Sequence, residues 1–277
     1  MRLDIVMPAH NEEERIDRTL RAYRAACPDD GVRFLVALDS CTDRTPEIVR
    51  AHQRDDHRVH SFDYPKLGKG GVIAETFSRS DAELVGFVDA DCATPPRELL
   101  RLADAARHTD GAIASRRHPA SMLPARRPLS REITSAGFAG SVRVLMGLPY
   151  RDTQCGAKVL RRHVVRDVLP RLAARDLLFD VDLLHAARER GWRVVEVPTV
   201  WIDQEGSRVR PVADTRRMGV SLMRLWARRR TGSRAFGPAG RPPAPVPTST
   251  PALTPEGADA TTDSTATHER EAAHAGA

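Results

Sequence analysis

Short apolar runs alternate with amphipathic segments along the first 115 residues. The runs are short enough to be buried strands, and the segments between them repeat their apolar positions at helical spacing. Predicted strands cover residues 3–7, 33–38, 59–62, 84–88 and 111–115, and predicted helices cover 12–26, 45–54, 69–79 and 96–107. Alternation of this kind is typical of a mostly parallel sheet with helices on both faces.

After residue 115 the pattern becomes mainly helical. Predicted helices cover 130–146, 161–172 and 183–190, followed by a strand over 193–197 and a last helix over 214–230. From residue 231 the sequence is rich in proline, alanine and threonine. Such a composition buries too little apolar surface to offset the entropy of ordering the chain. We therefore predict a folded domain over residues 1–230 and a disordered tail over 231–277.

The 277-residue chain carries a net charge of +6, and all but three of its 43 basic residues are arginine. A positive balance permits an anionic partner such as a nucleotide sugar, an acidic lipid surface or nucleic acid. Nucleic acid is disfavoured, because aromatic residues make up only 5% of the chain and no zinc-finger spacing, RNA-binding signature or recognition helix accompanies the charge. The four cysteines lie far apart and predict neither a zinc site nor a disulfide framework.

Membrane-spanning and secretion signals are absent from the sequence pattern. No apolar stretch approaches the ~18 residues that cross a bilayer. The N-terminus enters the first predicted strand without the pattern of a signal peptide. We therefore expect a cytoplasmic protein without a transmembrane segment.

Two carboxylates, Asp89 and Asp91, directly follow the apolar run 84–88. Side chains alternate between the faces of a strand, so acids two residues apart lie on the same side of it and can point the same way. Divalent cations such as Mg²⁺ prefer oxygen ligands, and Mg²⁺ is usually held by one or two carboxylates together with substrate phosphates. Because open α/β sheets bind ligands at the carboxyl ends of their strands, the pair predicts a metal and diphosphate site. A solvated turn is the alternative for so short a motif.

Polar loops after the first two strands are predicted to lie at the same sheet edge. Residues 8–13 precede a helix whose N-terminus would attract phosphate, although capping of that helix by Asn11 explains the polar residues equally well. In residues 39–43 an acid could accept hydrogen bonds from a base or a ribose, or Thr42 or Asp43 could cap the next helix. Both loops are thus candidates for nucleotide binding.

Two further segments complete the candidate chemistry. Residues 66–71 are basic and glycine-rich, but they match neither the dinucleotide-binding spacing nor the P-loop, so they predict at most a loop that covers a nucleotide. Residues 152–158 form a polar stretch, for which a surface turn is the alternative.

In combination, these segments resemble family 2 glycosyltransferases. More narrowly, the chain resembles dolichyl-phosphate glucose synthase and the related polyprenyl-phosphate mannosyltransferases. The resemblance covers roughly residues 3–228. The matching segments, in order, are 8–13, 39–45, 68–70, 89–91, 152–158, 179–184 and 201–208. Residues 152–158 and 206–208 are the most specific among them.

The resemblance implies a GT-A fold, with a nucleotide-sugar half over about 1–115 and an acceptor half over about 116–230. It implies inverting, metal-dependent transfer of a hexose from a nucleotide sugar of the UDP-glucose or GDP-mannose type to a polyprenyl phosphate. Mg²⁺ or Mn²⁺ would be held by Asp89 and Asp91 and would act as a Lewis acid on the leaving diphosphate. The implied catalytic residues are Asp152 and Asp91.

The remaining site residues follow from the same resemblance. The implied nucleotide-binding residues are Pro8, Ala9, Asn11, Glu12, Asp39, Lys69 and Asp89. The implied ligands of the acceptor phosphate are Arg116, Arg127 and Arg208, since a guanidinium matches the geometry of phosphate.

Two alternatives to a lipid acceptor remain open. The first keeps the donor and the metal but uses a soluble acceptor. The second is a non-catalytic module that binds nucleotide sugars, suggested by Leu38, which stands where family members usually carry an acid. That departure also leaves the donor base open.

The last predicted helix carries an apolar stripe of Met218, Leu222, Leu225 and Trp226 flanked by arginines. An interfacial helix has this pattern, and residues 214–230 would then make peripheral contact with the inner face of a membrane. The alternative is that the stripe packs on the protein core while the arginines are solvated.

Overall fold

Strands and helices alternate through the first half of the protein, as the apolar pattern predicts. The computed structural model describes residues 2–124, 129–202 and 211–231, with side chains from 135 and from 218 onward in the helices that begin at 129 and 211. The first-half elements are β1 Leu3–Ala9, α1 Ile16–Ala26, β2 Val32–Asp39, α2 Thr45–Asp55, β3 Val59–Tyr64, α3 Lys69–Arg79, β4 Leu84–Val88, α4 Pro96–Arg107 and β5 Gly111–Ser115.

The second half adds four helices and two strands to this arrangement in the described residues. They are α5 Leu129–Met146, β6 Ala157–Arg161, α6 Arg162–Val168 with a 3₁₀ turn at Leu169–Arg171, α7 Phe179–Glu189, β7 Val194–Pro198 and α8 Pro211–Arg230. All described residues belong to one compact unit. The predicted division into a nucleotide-sugar half and an acceptor half stays a prediction, and the predicted tail lies outside the described residues beyond residue 231.

The described strands form one sheet in the order β3-β2-β1-β4-β6-β5-β7. Neighbouring strands are parallel except where β6 runs antiparallel between β4 and β5. The carboxyl ends of β1, β2, β4 and β5 therefore share one edge with the start of β6. The loops that carry the candidate chemistry all leave the sheet at that edge.

Helices cover both faces of the sheet, which explains why the strands are apolar on both sides. One face packs Ile5, Phe34 and Val36 against α1 and α4, which contribute Leu20 and Leu99 among others. The opposite face packs residues of the same strands against α3, α6 and α7. That second cluster includes Val6, Leu35, Phe87, Ile73, Val164 and Leu183.

Strand β6 is absent from the sequence-based prediction, which treats residues 152–158 as a polar stretch or a surface turn. The surface-turn alternative is wrong, because Asp152, Thr153, Cys155 and Lys158 are all buried. A lysine inside a central strand breaks the apolar pattern from which strands are predicted.

Helix boundaries differ from the prediction by four residues at three places. Helix α1 begins at Ile16 rather than at residue 12, because Glu12 N donates to Thr45 Oγ1 at 2.7 Å and the chain turns before the helix starts. The helix predicted over 161–172 ends at residue 168 and continues as the 3₁₀ turn. Helix α7 begins four residues earlier than predicted, where Asp176 Oδ1 accepts from Leu178 N at 2.9 Å.

Helix α8 packs its apolar stripe on the core. Leu222 and Leu225 are buried, and Met218 and Trp226 pack against the second cluster. The core-packing alternative is thus confirmed for these residues, and membrane contact stays a prediction. Within the described residues, no helix combines the length and the apolarity needed to traverse a bilayer.

Candidate active site

Asp89 and Asp91 lie on a tight turn at the end of β4. The turn is fixed from both sides, because Asp89 N donates to Gly156 O at 3.2 Å and the Thr19 hydroxyl of α1 donates to Ala90 O at 2.7 Å. Asp91 Oδ1 accepts from Ala93 N at 2.9 Å. The two carboxylates are therefore held by backbone that can move little.

The turn concentrates negative charge. Burial, and then the neighbouring charge of Asp89, raise the pKa of Asp91. Lys69 Nζ lies 2.5 Å from Asp89 Oδ1. Burial opposes the charged form of Lys69, but the charges of Asp89 and Asp180 outweigh it, so the pKa of Lys69 is raised. Electrostatically, the turn favours a bound cation.

Asp89 and Asp91 fit a hard divalent cation by their chemistry. Both supply carboxylate oxygens, the ligand type that Mg²⁺ and Mn²⁺ prefer. Across residues 2–124, 129–202 and 211–231, no cluster of three or more histidine, cysteine, aspartate or glutamate side chains is placed to hold a metal ion. Two carboxylates joined by substrate phosphates are a common arrangement for Mg²⁺.

A cavity of about 340 Å³ opens beside this pair. It is lined by seven of the predicted site residues, namely Pro8, Ala9, Glu12, Asp39, Lys69, Asp89 and Asp91. Six other residues line it: His10, Lys66, Gly68 and Ala90 belong to the candidate segments 8–13, 66–71 and 89–91, whereas Arg15 and Val72 lie outside every candidate segment. Arg15 is the most informative omission, because it forms an ion pair with Glu12 at 2.6 Å and adds a cation one turn beyond the first loop. The cavity thus combines Asp89 and Asp91 with three basic side chains, Arg15, Lys66 and Lys69.

Asn11 lies outside the cavity lining and joins the first two loops. Its backbone has a φ of 57°, and its Oδ1 accepts from Thr42 N at 2.8 Å. The alternative that Asn11 caps α1 is wrong, since that helix begins at Ile16 without a side-chain cap. Asp43 Oδ1 accepts from Thr45 N at 3.0 Å, but the capping position of α2 is occupied by Arg44, which makes no side-chain cap, so neither Thr42 nor Asp43 is the N-cap.

Asp39, predicted to bind the base or the ribose, holds the loop before α3. Its buried carboxylate accepts from Leu67 N at 2.7 Å and from Gly68 N at 3.2 Å, and Lys66 Nζ lies 3.4 Å away. These bonds place Lys69 at the cavity. Contact between Asp39 and the nucleotide stays a prediction, and Leu38 is buried in the core.

Gly156 is required by the position of Asp89. A Cβ atom at residue 156 would overlap the carboxylate of Asp89, and the nearest atom is Oδ2. The glycine in the segment 152–158 therefore makes room for Asp89, which directly follows the neighbouring strand. Its role depends on the pairing of β4 with β6, which no sequence pattern signals.

Asp152, predicted as a catalytic carboxylate, is buried and paired with Arg116. The guanidinium donates from Nε to Oδ2 at 2.6 Å and from Nη2 to Oδ1 at 2.9 Å. Burial would raise the pKa of Asp152, but the charge and the hydrogen bonds of Arg116 outweigh it and lower the pKa to about 2. A carboxylate with so low a pKa is a weak base, so this geometry favours holding Arg116 over removing a proton.

Arg116, predicted to bind the acceptor phosphate, follows β5 at the same edge. Its Cζ lies 5.0 Å from the ring centroid of Trp201, and its pKa is raised by Asp152 and by Asp89 against the effect of burial. Binding of the acceptor by Arg116 stays a prediction. The two other predicted phosphate ligands, Arg127 and Arg208, lie outside the described residues.

The pairing of Asp152 with Arg116 predicts a pH dependence of stability. The pKa of Asp152 is about 2 in the folded chain and ~3.9 for an unperturbed aspartate. The ionised carboxylate therefore stabilises the fold above about pH 4, and this contribution is lost as the pH falls towards 2. We expect the difference in free energy of unfolding between the wild type and Asp152→Asn, measured with urea, to narrow below about pH 4. A difference that is constant with pH would contradict this assignment.

A buried ion pair adjoins the cavity. Lys158 Nζ lies 2.5 Å from Asp180 Oδ1 and donates to Cys155 O at 2.6 Å. Lys158 and Lys69 both approach the ring of Phe87, with Nζ 5.3 and 5.8 Å from its centroid. Asp180 is thus paired directly with Lys158, and its charge also helps to raise the pKa of Lys69.

Comparison with known proteins identifies the family. The model of the glycosyl transferase family 2 domain matches residues 4–169, which is more than half of the chain. The chain belongs to glycosyltransferase family 2. It is thus an enzyme of the glycosyltransferase class, as the resemblance predicts.

Three curated relatives are similar over most of this glycosyltransferase. Undecaprenyl-phosphate mannosyltransferase of Micrococcus luteus is 31% identical, over 74% of this chain and 85% of the relative. Dolichyl-phosphate beta-glucosyltransferase of Drosophila melanogaster is 29% identical, over 84% and 77%. Glycosyltransferase AglD of Haloferax volcanii is 31% identical over 81% of this chain, but the match spans only 37% of that relative's length. The predicted resemblance to polyprenyl-phosphate glycosyltransferases is confirmed.

A solved structure shows the same fold. Glucosyl-3-phosphoglycerate synthase of Mycobacterium tuberculosis, crystallised with Mn²⁺, UDP and glucosyl-3-phosphoglycerate, superposes with a TM-score of 0.62. It is 16% identical, and the match covers 83% of this chain and 80% of the other. The predicted GT-A fold is confirmed.

Proposed function

We propose that this family 2 glycosyltransferase transfers a hexose from a nucleotide sugar to a polyprenyl phosphate, with inversion at the anomeric carbon and with Mg²⁺ or Mn²⁺ as cofactor. The donor is of the UDP-glucose or GDP-mannose type. One observation carries the proposal: Asp89, Asp91 and Lys69 line a single cavity together with the loop after β1, the end of β2 and the loop after β3. The names of two relatives, which specify polyprenyl-phosphate acceptors, support the choice of acceptor.

The donor would lie in the cavity with its diphosphate towards Asp89 and Asp91. These acids would hold the metal ion, which when bound would neutralise charge on the departing diphosphate. Lys69 and Arg15 add positive charge in the same cavity. Positive charge held beside a leaving diphosphate lowers the barrier to its departure.

The acceptor needs to be positioned more than activated. A phosphomonoester has a second pKa near 6, so a lipid phosphate is already largely ionised at pH 7. In our proposal Arg116 holds that phosphate, and Asp152 orients the guanidinium of Arg116. The weak basicity of Asp152 is compatible with this division of roles.

Peripheral contact with an anionic membrane is part of the proposal. Val220 and Met223 are 45% and 49% exposed on α8, and Arg224 beside them is exposed as well. Apolar side chains flanked by arginines suit the boundary between lipid headgroups and acyl chains. A lipid acceptor would be met at this boundary.

A transfer assay with vesicles tests these points together. The full chain is incubated with UDP-glucose or GDP-mannose, with Mn²⁺ or EDTA, and with anionic vesicles that contain polyprenyl phosphate. We expect a glycosylated lipid with one donor, its loss with EDTA, and flotation of the protein with the vesicles at low salt.

Three results would contradict parts of the proposal. Transfer to 3-phosphoglycerate but not to the lipid would favour the soluble-acceptor alternative. A donor that raises the melting temperature without any transfer would favour the non-catalytic binding module. If the protein stays at the bottom of the gradient at low salt, the proposed membrane contact is wrong.

A further inference from the structure

Lys69 forms an ion pair with Asp89, one of the two acids proposed to hold the metal ion. Its ammonium lies 2.5 Å from Asp89 Oδ1, and the two side chains are only 25% and 30% exposed. A divalent ion placed on that carboxylate would meet the positive charge of Lys69 at close range, and like charges repel strongly in a partly buried site. Lys69 and a metal ion are thus rivals for Asp89.

The position of Lys69 is built into the fold. Lys69 is the first residue of α3 and follows Gly68, whose φ of 79° lies in the left-handed region. The loop before it is anchored by the bonds from Leu67 and Gly68 to Asp39, and Gly71 N donates to Arg175 O at 3.0 Å. Three separate contacts therefore deliver this ammonium to the cavity.

We propose that Lys69 is a resident cation that occupies Asp89 until the donor binds, and that its ammonium then moves to the diphosphate of the donor and leaves Asp89 to the metal. The diphosphate gives the lysine a second anionic partner inside the same cavity. Asp89 would then be able to hold a metal ion without a competing cation. Donor and metal should therefore raise each other's affinity, because coupling between two ligands is reciprocal.

This inference rests on the proposed metal and donor site, but it is tested without sugar transfer. Binding of Mn²⁺ to the full-length, donor-free protein is measured by electron paramagnetic resonance of the free ion. In Lys69→Gln we expect Mn²⁺ to bind about fivefold more tightly than in the wild type, the scale of one partly exposed ion pair. We also expect UDP to increase the affinity for Mn²⁺ less in this variant than in the wild type.

Two further variants distinguish the direct contact between Lys69 and Asp89 from the general positive charge of the cavity. Lys69→Arg keeps the charge and should keep the weak Mn²⁺ binding of the wild type. Lys66→Gln removes the other lysine of the cavity, whose Nζ lies 3.4 Å from Asp39 rather than on Asp89. It should change the affinity for Mn²⁺ by less than about twofold, the scale of a weak surface pair.

Unchanged or weaker binding of Mn²⁺ by Lys69→Gln would overturn the inference. An equal gain in Mn²⁺ affinity in Lys66→Gln would overturn it too, because the effect would then come from the general positive charge of the cavity. A fivefold gain in a protein that transfers no sugar would keep the inference and reject the proposed function. If the protein transfers sugar but its affinity for Mn²⁺ does not change when Lys69 is replaced, the proposed function stands and the inference fails.

Discussion

Replacing Asp91 with alanine should lower the rate of sugar transfer by about 10³-fold. The variant removes one of the two carboxylates proposed to hold the metal ion, and a Lewis acid on a leaving diphosphate contributes several kcal/mol to stabilising the transition state. Since burial and the charge of Asp89 raise the pKa of Asp91, removing this carboxylate also relieves repulsion and should not destabilise the fold. The rate is measured with saturating donor and Mn²⁺, and the melting temperature is measured in parallel.

Asp104→Ala is the matched control. Asp104 is 70% exposed on α4, and its nearest basic partner is Arg107 at 3.9 Å. This control should keep wild-type activity and wild-type affinity for Mn²⁺. If Asp91→Ala turned over at the rate of the control, the metal site would have to lie elsewhere.

Replacing Lys158 with methionine should destabilise the protein by about 3–5 kcal/mol. Lys158 and Asp180 are 1% and 5% exposed, so the variant leaves a buried carboxylate without its nearest cation. Methionine fills much of the same volume, so the loss reports the missing charge rather than a cavity. The measurement is the urea midpoint together with the slope of the unfolding transition.

The double variant Lys158→Met, Asp180→Leu should recover most of that loss, because an apolar pair of similar size often replaces a buried ion pair without large cost. Lys66→Met provides a control at an exposed lysine, and it should stay within about 0.5 kcal/mol of the wild type. A single variant as stable as this control would show that Asp180 does not depend on Lys158.

Much of the sheet could be predicted from the sequence because its first half obeys a local rule. Each of the first five strands is a short apolar run, and the helices between them have a clear amphipathic period. This alternation predicts that the carboxyl ends of β1, β2 and β4 share one edge of the sheet. It therefore also predicts that Asp89 and Asp39 lie near one another. Family resemblance added Lys69 as a predicted nucleotide-binding residue, which no spacing rule supplies.

Strand β6 and its partners could not be predicted in the same way. Lys158 looks like a surface residue in the sequence, and its burial depends on Asp180, which lies 22 residues further along the chain. Gly156 looks like part of a turn, yet it is needed because β6 brings it against Asp89. Arg116 and Asp152 each look like independent site residues, whereas the fold joins them in one ion pair.

By itself, the sequence determined the alternating architecture, the edge at which the loops gather and the placement of Asp89 and Asp91 at that edge. These features follow from periodicity and strand direction, which are local properties of the chain. Only the tertiary structure decided which charges meet: Lys69 with Asp89, Arg116 with Asp152, and Lys158 with Asp180. Such pairings join residues from different elements, and their energies depend on burial and on distances of a few ångströms, which the order of residues does not contain.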